Sequence, residues 1–337
     1  MTLRLVVLLI TALFFGACGG GGPSVEKQEN TASDAFMQAP SDNAQFFYAL
    51  GEGDSIRLAK NNALGDIASR ISVSISSSID NQLSVNREDG VESSSQDIKT
   101  RVNAVAKTIE FSGVSVEETR KKEDSVEVLV KVDRDVLYKS YEKKLKRLDT
   151  GIAKEMGVIH NSSVFFQLKL SFKTRENMAK AEEYLLLLEA MSPRFDDKTY
   201  RKKYASYEDR LKDIQNKAVF SIKADKNSAS LASLIKEKLS ADNIKLSDNK
   251  ANVKIRLSTK AELKNYKSSN SKIAKMKIVV RTTTIKAVDA KGVSLSNNVV
   301  KTKAASSQSK EEAISQTKQY EKLIEKDGIL SFLSGNS

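Results

Sequence analysis

The stretch that decides the fold of the first half of the chain is Phe46-Phe-Tyr-Ala-Leu-Gly-Glu-Gly-Asp-Ser-Ile56. Its aromatic start predicts a short strand, and Asp54 predicts a helix N-cap. One face of the helix that follows is apolar, formed by Ile56, Ala59, Ala63 and Ile67. From Ile71 the apolar residues alternate with serines, which predicts a strand that continues to Val85.

The rest of this region has the pattern of an α+β unit. A second helix is predicted from four apolar residues at helical spacing, Ile98, Val102, Val105 and Ile109. Strands are predicted around Phe111–Glu118 and Val126–Val132, with the charged turn Arg120–Asp124 between them. We therefore expect a domain over residues 44–150 in which helices cover one face of an antiparallel sheet.

The remaining chain predicts a helical connector at residues 151–216 and a second α+β domain at 217–337. In that domain Phe220–Ile222 is typical of a strand and Leu231–Leu239 of a helix. Three further strands are predicted at 253–259, 276–288 and 293–303, with a closing helix from about Lys310 to Lys326. The predicted fold class is α+β, with two small domains whose helices pack on antiparallel sheets, joined by a mainly helical segment.

The N-terminus has the pattern of an export signal. The apolar run Leu5–Phe15 is too short to cross a bilayer of about 30 Å at 1.5 Å per residue. It ends in Gly16-Ala17, and Cys18 follows at once, in a pattern that resembles the lipobox of bacterial lipoproteins. The resemblance implies a signal peptide at 1–17, acylation of Cys18 and a flexible tether at 18–43. Gly19 is not the Asp expected at an inner membrane, so we predict the outer membrane.

The composition excludes several kinds of chemistry. The single Cys (Cys18) and the single His (His160) exclude disulfide frameworks, Cys/His zinc sites and most Ser–His–Asp schemes. His160 is expected to be a solvent-exposed residue. Gly51-Glu-Gly53 lacks the third Gly of a dinucleotide fingerprint and a Gly-Lys-Ser/Thr ending, so a tight strand-to-helix turn is favoured over a phosphate loop. We expect no catalytic residues, metal or cofactor. We also expect no nucleic-acid partner, because the chain is predicted to be exported from the cytoplasm.

The positive charge of the chain lies in one region. Residues 250–303 contain fourteen Lys or Arg and two acidic residues, so they account for the net charge of +12. Strand alternation predicts a basic outer sheet face that could bind an anionic envelope polymer, a lipid or an acidic protein. The alternative is a solvated face whose lysines protect sheet edges from aggregation. The candidate binding residues are Lys254, Arg256, Lys277, Arg281, Lys301 and Lys303.

The motif at 46–78 resembles the core of the LPP-twenty lipoprotein family over about residues 44–140. In that family an aromatic-Gly-x-Gly-x-Ser turn leads into an Ala-rich helix and a Ser-alternating strand. The family includes small surface-antigen lipoproteins and the flagellar P lipoprotein, which builds a disk around the flagellar motor. The resemblance implies an outer-membrane location facing the periplasm and a structural, self-associating role, with envelope or flagellar proteins as partners. The helical connector and the second domain are additions to the small members of the family.

Overall fold

The computed structural model describes residues 38–86, Val102, Val105, 108–192, 194–264 and 276–335. The predicted signal peptide, most of the tether and Cys18 lie outside these residues. In the first sheet, β1 (Phe46–Gly53), β2 (Val114–Lys121) and β3 (Val126–Asp133) are antiparallel in the order β1-β3-β2. The two strands predicted around residues 111–132 are confirmed.

Helix α1 (Ile56–Asn86) covers this sheet and corrects the prediction of a strand at residues 71–85. Its buried face repeats every four residues and continues past the predicted switch, through Ala59, Ala63, Ile67, Ile71 and Ile75. Val73, which a strand would point inward with Ile71, is 64% exposed. The Ser72 hydroxyl donates to the Ala68 carbonyl at 2.8 Å and the Ser77 hydroxyl to the Val73 carbonyl at 3.0 Å, so these two serines form hydrogen bonds within the helix.

The start of α1 differs from the prediction in its cap. Ser55, not Asp54, precedes the first helical residue, and its Oγ accepts a hydrogen bond from the Leu58 amide at 3.3 Å. Gly51 and Gly53 lie within β1 and do not form the predicted turn. A Cβ at Gly51 would lie 2.0 Å from the Ala59 carbonyl oxygen, so this glycine allows α1 to contact the strand backbone directly.

Three long helices follow the first sheet: α2 (Arg134–Val158), α3 (Val164–Met191) and α4 (Lys198–Lys217). They share one hydrophobic core with α1 and β3. Only the start of α3 differs, because Phe165 and Leu168 belong to the second core. Of the predicted second helix, Val102 and Val105 are helical and buried, whereas Ile98 lies outside the described residues.

The second sheet has the order β5-β4-β6-β7-β8. Its strands are β4 (Val219–Ala224), β5 (Lys245–Leu246), β6 (Val253–Lys264), β7 (Lys277–Asp289) and β8 (Ser294–Ser306). Helix α5 (Ala229–Ala241) connects β4 to β5, and β4 is parallel to both β5 and β6, whereas β6, β7 and β8 are antiparallel.

The predicted closing helix is divided into two shorter helices, α6 (Lys310–Ser315) and α7 (Lys318–Asp327). A further helix that was not predicted, α8 (Ile329–Ser334), follows them. Gln316 interrupts the run with an extended backbone, and Gly328 separates the last two helices with a φ of 77°. Residues of α7 and α8 pack in the second core, together with α5 and the inner face of the sheet.

The α+β fold class is confirmed, with helices packed on largely antiparallel sheets. Residues 39–337 form one compact unit, in which α3 contributes to both cores. The division into segments 44–150, 151–216 and 217–337 stays a prediction. Within the part of the chain that the structure describes, no helix has an apolar stretch long enough to cross a bilayer.

Candidate functional site: the basic face of the second sheet

The second sheet has an apolar face and a basic face, and β6 shows how they are separated. Val253, Ile255 and Leu257 are buried among the helices. The residues between them point to the opposite side, where Arg256 is exposed and Lys254 is partly exposed. The Lys254 Nζ donates to the Ala290 carbonyl at 3.1 Å. The predicted outward placement of Lys254 and Arg256 is therefore confirmed.

The pairing register places three cationic side chains side by side on this outer face, on adjacent strands. Lys223 of β4 pairs with Arg256 of β6, and Arg256 pairs with Lys286 of β7. All three side chains are exposed, and neighbouring strands are about 4.8 Å apart. We call Lys223, Arg256 and Lys286 the cation row. Like charges directly opposite one another destabilise a sheet, so the row has an electrostatic cost in the isolated protein.

Nearby carboxylates do not neutralise the cation row. Among the described residues, none forms a salt bridge with Lys223, Arg256 or Lys286. The Asp225 carboxylate reaches the same face, but it accepts hydrogen bonds from the Ser258 hydroxyl and the Thr259 amide, both at 2.9 Å. Burial opposes ionisation of Asp225, but its hydrogen bonds outweigh this and lower its pKa.

Lys301 and Lys303 also lie on the outer face, on the edge strand β8. Lys301 pairs with Thr282 of β7, which in turn pairs with Lys260 of β6, so Lys260 and Lys301 flank a threonine in a second row. Lys303 pairs with Val280, and both lysines are exposed. Their position at the edge also suits protection against pairing with another chain.

Lys277 and Arg281 are not on the basic face, so the prediction that they point outward with Lys254 and Arg256 is wrong. Their even spacing does place them on one side of β7, but that side faces the helices. Arg281 is 1% exposed, and its Nε donates to the Thr302 hydroxyl at 3.0 Å. Lys277 is exposed only because it is the first residue of the strand. Burial lowers the pKa of Arg281, partly offset by Tyr320, whose ring lies 4.6 Å from the guanidinium carbon.

Sequence reasoning missed three residues of this face: Lys223, Lys260 and Lys286. Lys223 lies in a strand far from the basic stretch in sequence, and only the parallel pairing of β4 with β6 brings it beside Arg256. Lys260 lies one residue beyond the predicted strand 253–259, and the face of Lys286 depends on the register of β7. A parallel pairing predicted between residues 220–222 and 253–259 would have identified Lys223.

The remaining candidates for chemistry have structural explanations. His160 is exposed at the end of α2 and contacts the Arg210 guanidinium. Within the described ranges, no group of three His, Cys, Asp or Glu side chains is arranged to hold a metal ion. Gly51 and Gly53 pack against α1, so the backbone there is occupied by the helix rather than open to a phosphate.

Comparison with known proteins identifies the first region. Residues 34–133 match the family model of the LPP20 lipoproteins, which confirms the resemblance seen in the motif at 46–78. This part of the chain is similar to that family, and the match supports a lipoprotein of the cell envelope. No curated protein sequence matches the chain significantly.

Solved structures show weaker likenesses. The secreted protein HP1454 of Helicobacter pylori is 18% identical with a TM-score of 0.41, and the match covers 75% of this chain and 86% of that one. A minor lipoprotein of Acinetobacter baumannii is 11% identical with a TM-score of 0.28, covering 35% of this chain and 96% of that one. Rare lipoprotein B of Shewanella oneidensis is 14% identical with a TM-score of 0.21, covering 34% and 87%.

Proposed function

We propose that the protein is a non-enzymatic lipoprotein of the outer membrane, anchored through acylated Cys18 and facing the periplasm, with a structural or assembly role in the envelope. The LPP20 match over residues 34–133 carries this proposal. The lipobox-like sequence that ends at Cys18 supports the anchor, because several acyl chains on one residue hold a protein stably at a membrane.

The anchor is tested by labelling cells with radioactive palmitate and separating their membranes. We expect the wild-type protein to be labelled and to sediment with the outer membrane. The Cys18→Ala variant should be unlabelled and soluble. Gly19→Asp is the matched control for sorting, since it should keep the label and move to the inner membrane. An unlabelled, soluble wild-type protein would refute the proposal.

The structural role is tested in the cell. We propose that the protein self-associates or binds envelope proteins, with the flagellar motor as the first place to look. Cells that lack the protein are compared with wild-type cells for swimming in soft agar and for the number of filaments. Cells that keep their filaments and fail to swim would support a role at the motor. Normal swimming would contradict that role and leave the wider envelope role to be tested by cross-linking.

A second candidate function is a periplasmic binding module for an anionic envelope polymer. The observation that favours it is the cation row, whose mutual repulsion a polyanion would relieve. Anionic lipid and acidic protein partners are the other outcomes of the same test.

The binding function is tested by changing Lys223, Arg256 and Lys286 together to Gln in the mature protein in detergent. Affinity for anionic polysaccharide is measured over a range of salt concentrations. The triple variant should bind more weakly and with a smaller salt dependence, because fewer counterions are exchanged. The control replaces three exposed lysines elsewhere: Lys236, Lys310 and Lys326. Equal losses of affinity in both variants would show that binding depends on the net charge of the protein and not on the cation row.

A further inference from the structure

A second basic site lies at the edge of β8, where the strand meets the N-terminal turn of α7. It is a cavity of about 430 Å³ with nine lining residues. Four of them are cationic, and none is acidic: Arg281, Lys303, Lys318 and Lys322. It is separate from the cation row, and it does not depend on the proposed anchor or structural role.

Arg281 lines this cavity and carries a positive charge that forms no ion pair with any described carboxylate. Its Nη1 donates to the Ile314 carbonyl at 2.9 Å and to the Gln316 carbonyl. Among the described residues, its Nη2 is buried without a hydrogen-bond partner, and no carboxylate forms a salt bridge with the guanidinium. A buried cation without a counterion is costly, so an anion in the cavity would stabilise this arrangement. The carbonyl contacts alone would make Arg281 a cap for the end of α6.

The start of α7 supplies an independent feature that favours an anion. Lys318 and Gln319 are its first two residues and line the cavity. The N-cap residue Thr317 makes no hydrogen bond to the amides of the first turn, because its hydroxyl donates to the Glu321 carboxylate. The amide groups of a helix's first turn, together with its dipole, favour a negative group. The Gln319 Oε1 accepts a hydrogen bond from the Lys303 amide at 2.7 Å, which fixes this turn against the edge of β8.

We propose that this cavity binds a phosphate group. A phosphomonoester carries about −1.5 to −2 charges and three strong acceptor oxygens. This suits a guanidinium, three ammonium groups and a helix N-terminus better than a carboxylate does, with its single charge and two oxygens. The phosphate is either free in solution or part of a lipid headgroup.

The test measures binding of two probes to the mature protein in detergent: radioactive inorganic phosphate, and dihexanoyl phosphatidic acid as a monomeric lipid headgroup. The test variant is Lys318→Gln with Lys322→Gln. The matched control is Lys236→Gln with Lys326→Gln, which removes the same charge from exposed helical positions outside the cavity. Neither pair includes Arg281, whose replacement affects folding through α6.

We expect the wild type and the control to bind at least one probe, and the test variant to bind it roughly tenfold or more weakly, as the loss of charge-assisted contacts predicts. Binding of inorganic phosphate would identify a site for free phosphate, and binding of phosphatidic acid alone would identify a headgroup site. Failure of the wild type to bind either probe would overturn the proposal. Equal weakening in the test variant and the control would also overturn it, because binding would then follow net charge.

Discussion

The contact between Gly51 and α1 predicts that a single methyl group at this position separates the helix from the sheet. In Gly51→Ala the new Cβ would lie 2.0 Å from the Ala59 carbonyl oxygen and 2.5 Å from the Ala63 amide nitrogen. Carbon and oxygen atoms approach to roughly 3.3 Å at closest, so α1 must move by about 1.3 Å. Both contacts are with backbone atoms, so no rotation of a side chain can relieve them.

Such a shift would loosen the whole buried face of α1. A gap of 0.5–1 Å already loses a quarter to a half of the dispersion energy between packed atoms. Ala59, Ala63 and Ile67 all contact the core along the displaced helix. Overpacking a core costs typically 1–3 kcal/mol, and we expect Gly51→Ala to lose about 3 kcal/mol.

Gly65→Ala is the matched control, since it adds the same methyl group to the exposed side of the same helix, where no atom lies within 4 Å. It should stabilise the protein by about 1 kcal/mol through helix propensity. The two free energies of unfolding are measured by urea titration followed by circular dichroism. A Gly51→Ala protein as stable as the wild type would refute the close packing of α1 on β1.

Three further predictions test the helix, a buried tyrosine and the cation row. Ile71→Glu should destabilise the protein by roughly 3 kcal/mol, because it buries a charge at a position that is 3% exposed, whereas Val73→Glu should change stability by less than about 0.5 kcal/mol. Equal falls in the melting temperatures of the two variants would favour the strand, which places both side chains on the same buried face. Burial and the Asp149 carboxylate raise the pKa of Tyr204 in the folded protein above its value of about 10 in the unfolded chain. Above about pH 10 the unfolded chain releases this proton while the folded protein keeps it, so the protein loses stability as the pH rises. Tyr204→Phe should therefore flatten the alkaline fall of the urea midpoint, and an unchanged slope would contradict this. Lys223→Glu should stabilise the protein by about 0.5 kcal/mol in low salt and by less in high salt, measured by thermal unfolding. A gain in stability that does not change with salt would contradict an electrostatic cost of the cation row.

The sequence predicted β2, β3 and four strands of the second sheet, β4, β6, β7 and β8, because each contains β-branched or alternating residues between clear turns. The two-residue strand β5 was not predicted. The prediction failed at residues 71–85, where two periods coexist. Ile71, Val73 and Ile75 alternate with serines, but Ile71 and Ile75 also extend the four-residue repeat that begins at Ala59. The buried face decided between them, since a helix keeps one continuous apolar face against the sheet. Only tertiary packing distinguishes these alternatives.

The predicted side of the sheet was correct for residues on a strand that alternates and wrong for residues on a strand that does not. In β6 the apolar residues Val253, Ile255 and Leu257 show which face is buried, so Lys254 and Arg256 could be assigned. The residues of β7 are apolar at both odd and even positions, so the pattern does not show which side faces the helices. Even spacing established that Lys277 and Arg281 share a side, but the side itself depends on the register with β6.

The two explanations for the positive charge of the second sheet place different demands on where the cations lie. A solubility role requires cations in water and suits Lys301 and Lys303 on the edge strand. It does not explain Arg281, because a buried cation adds nothing to solubility and costs folding free energy. Nor does it explain the cation row, because the same three charges dispersed over the surface would protect it equally without repelling one another. Both features are costs in the free protein that a bound anion would remove, so they support anionic partners over a solubility role.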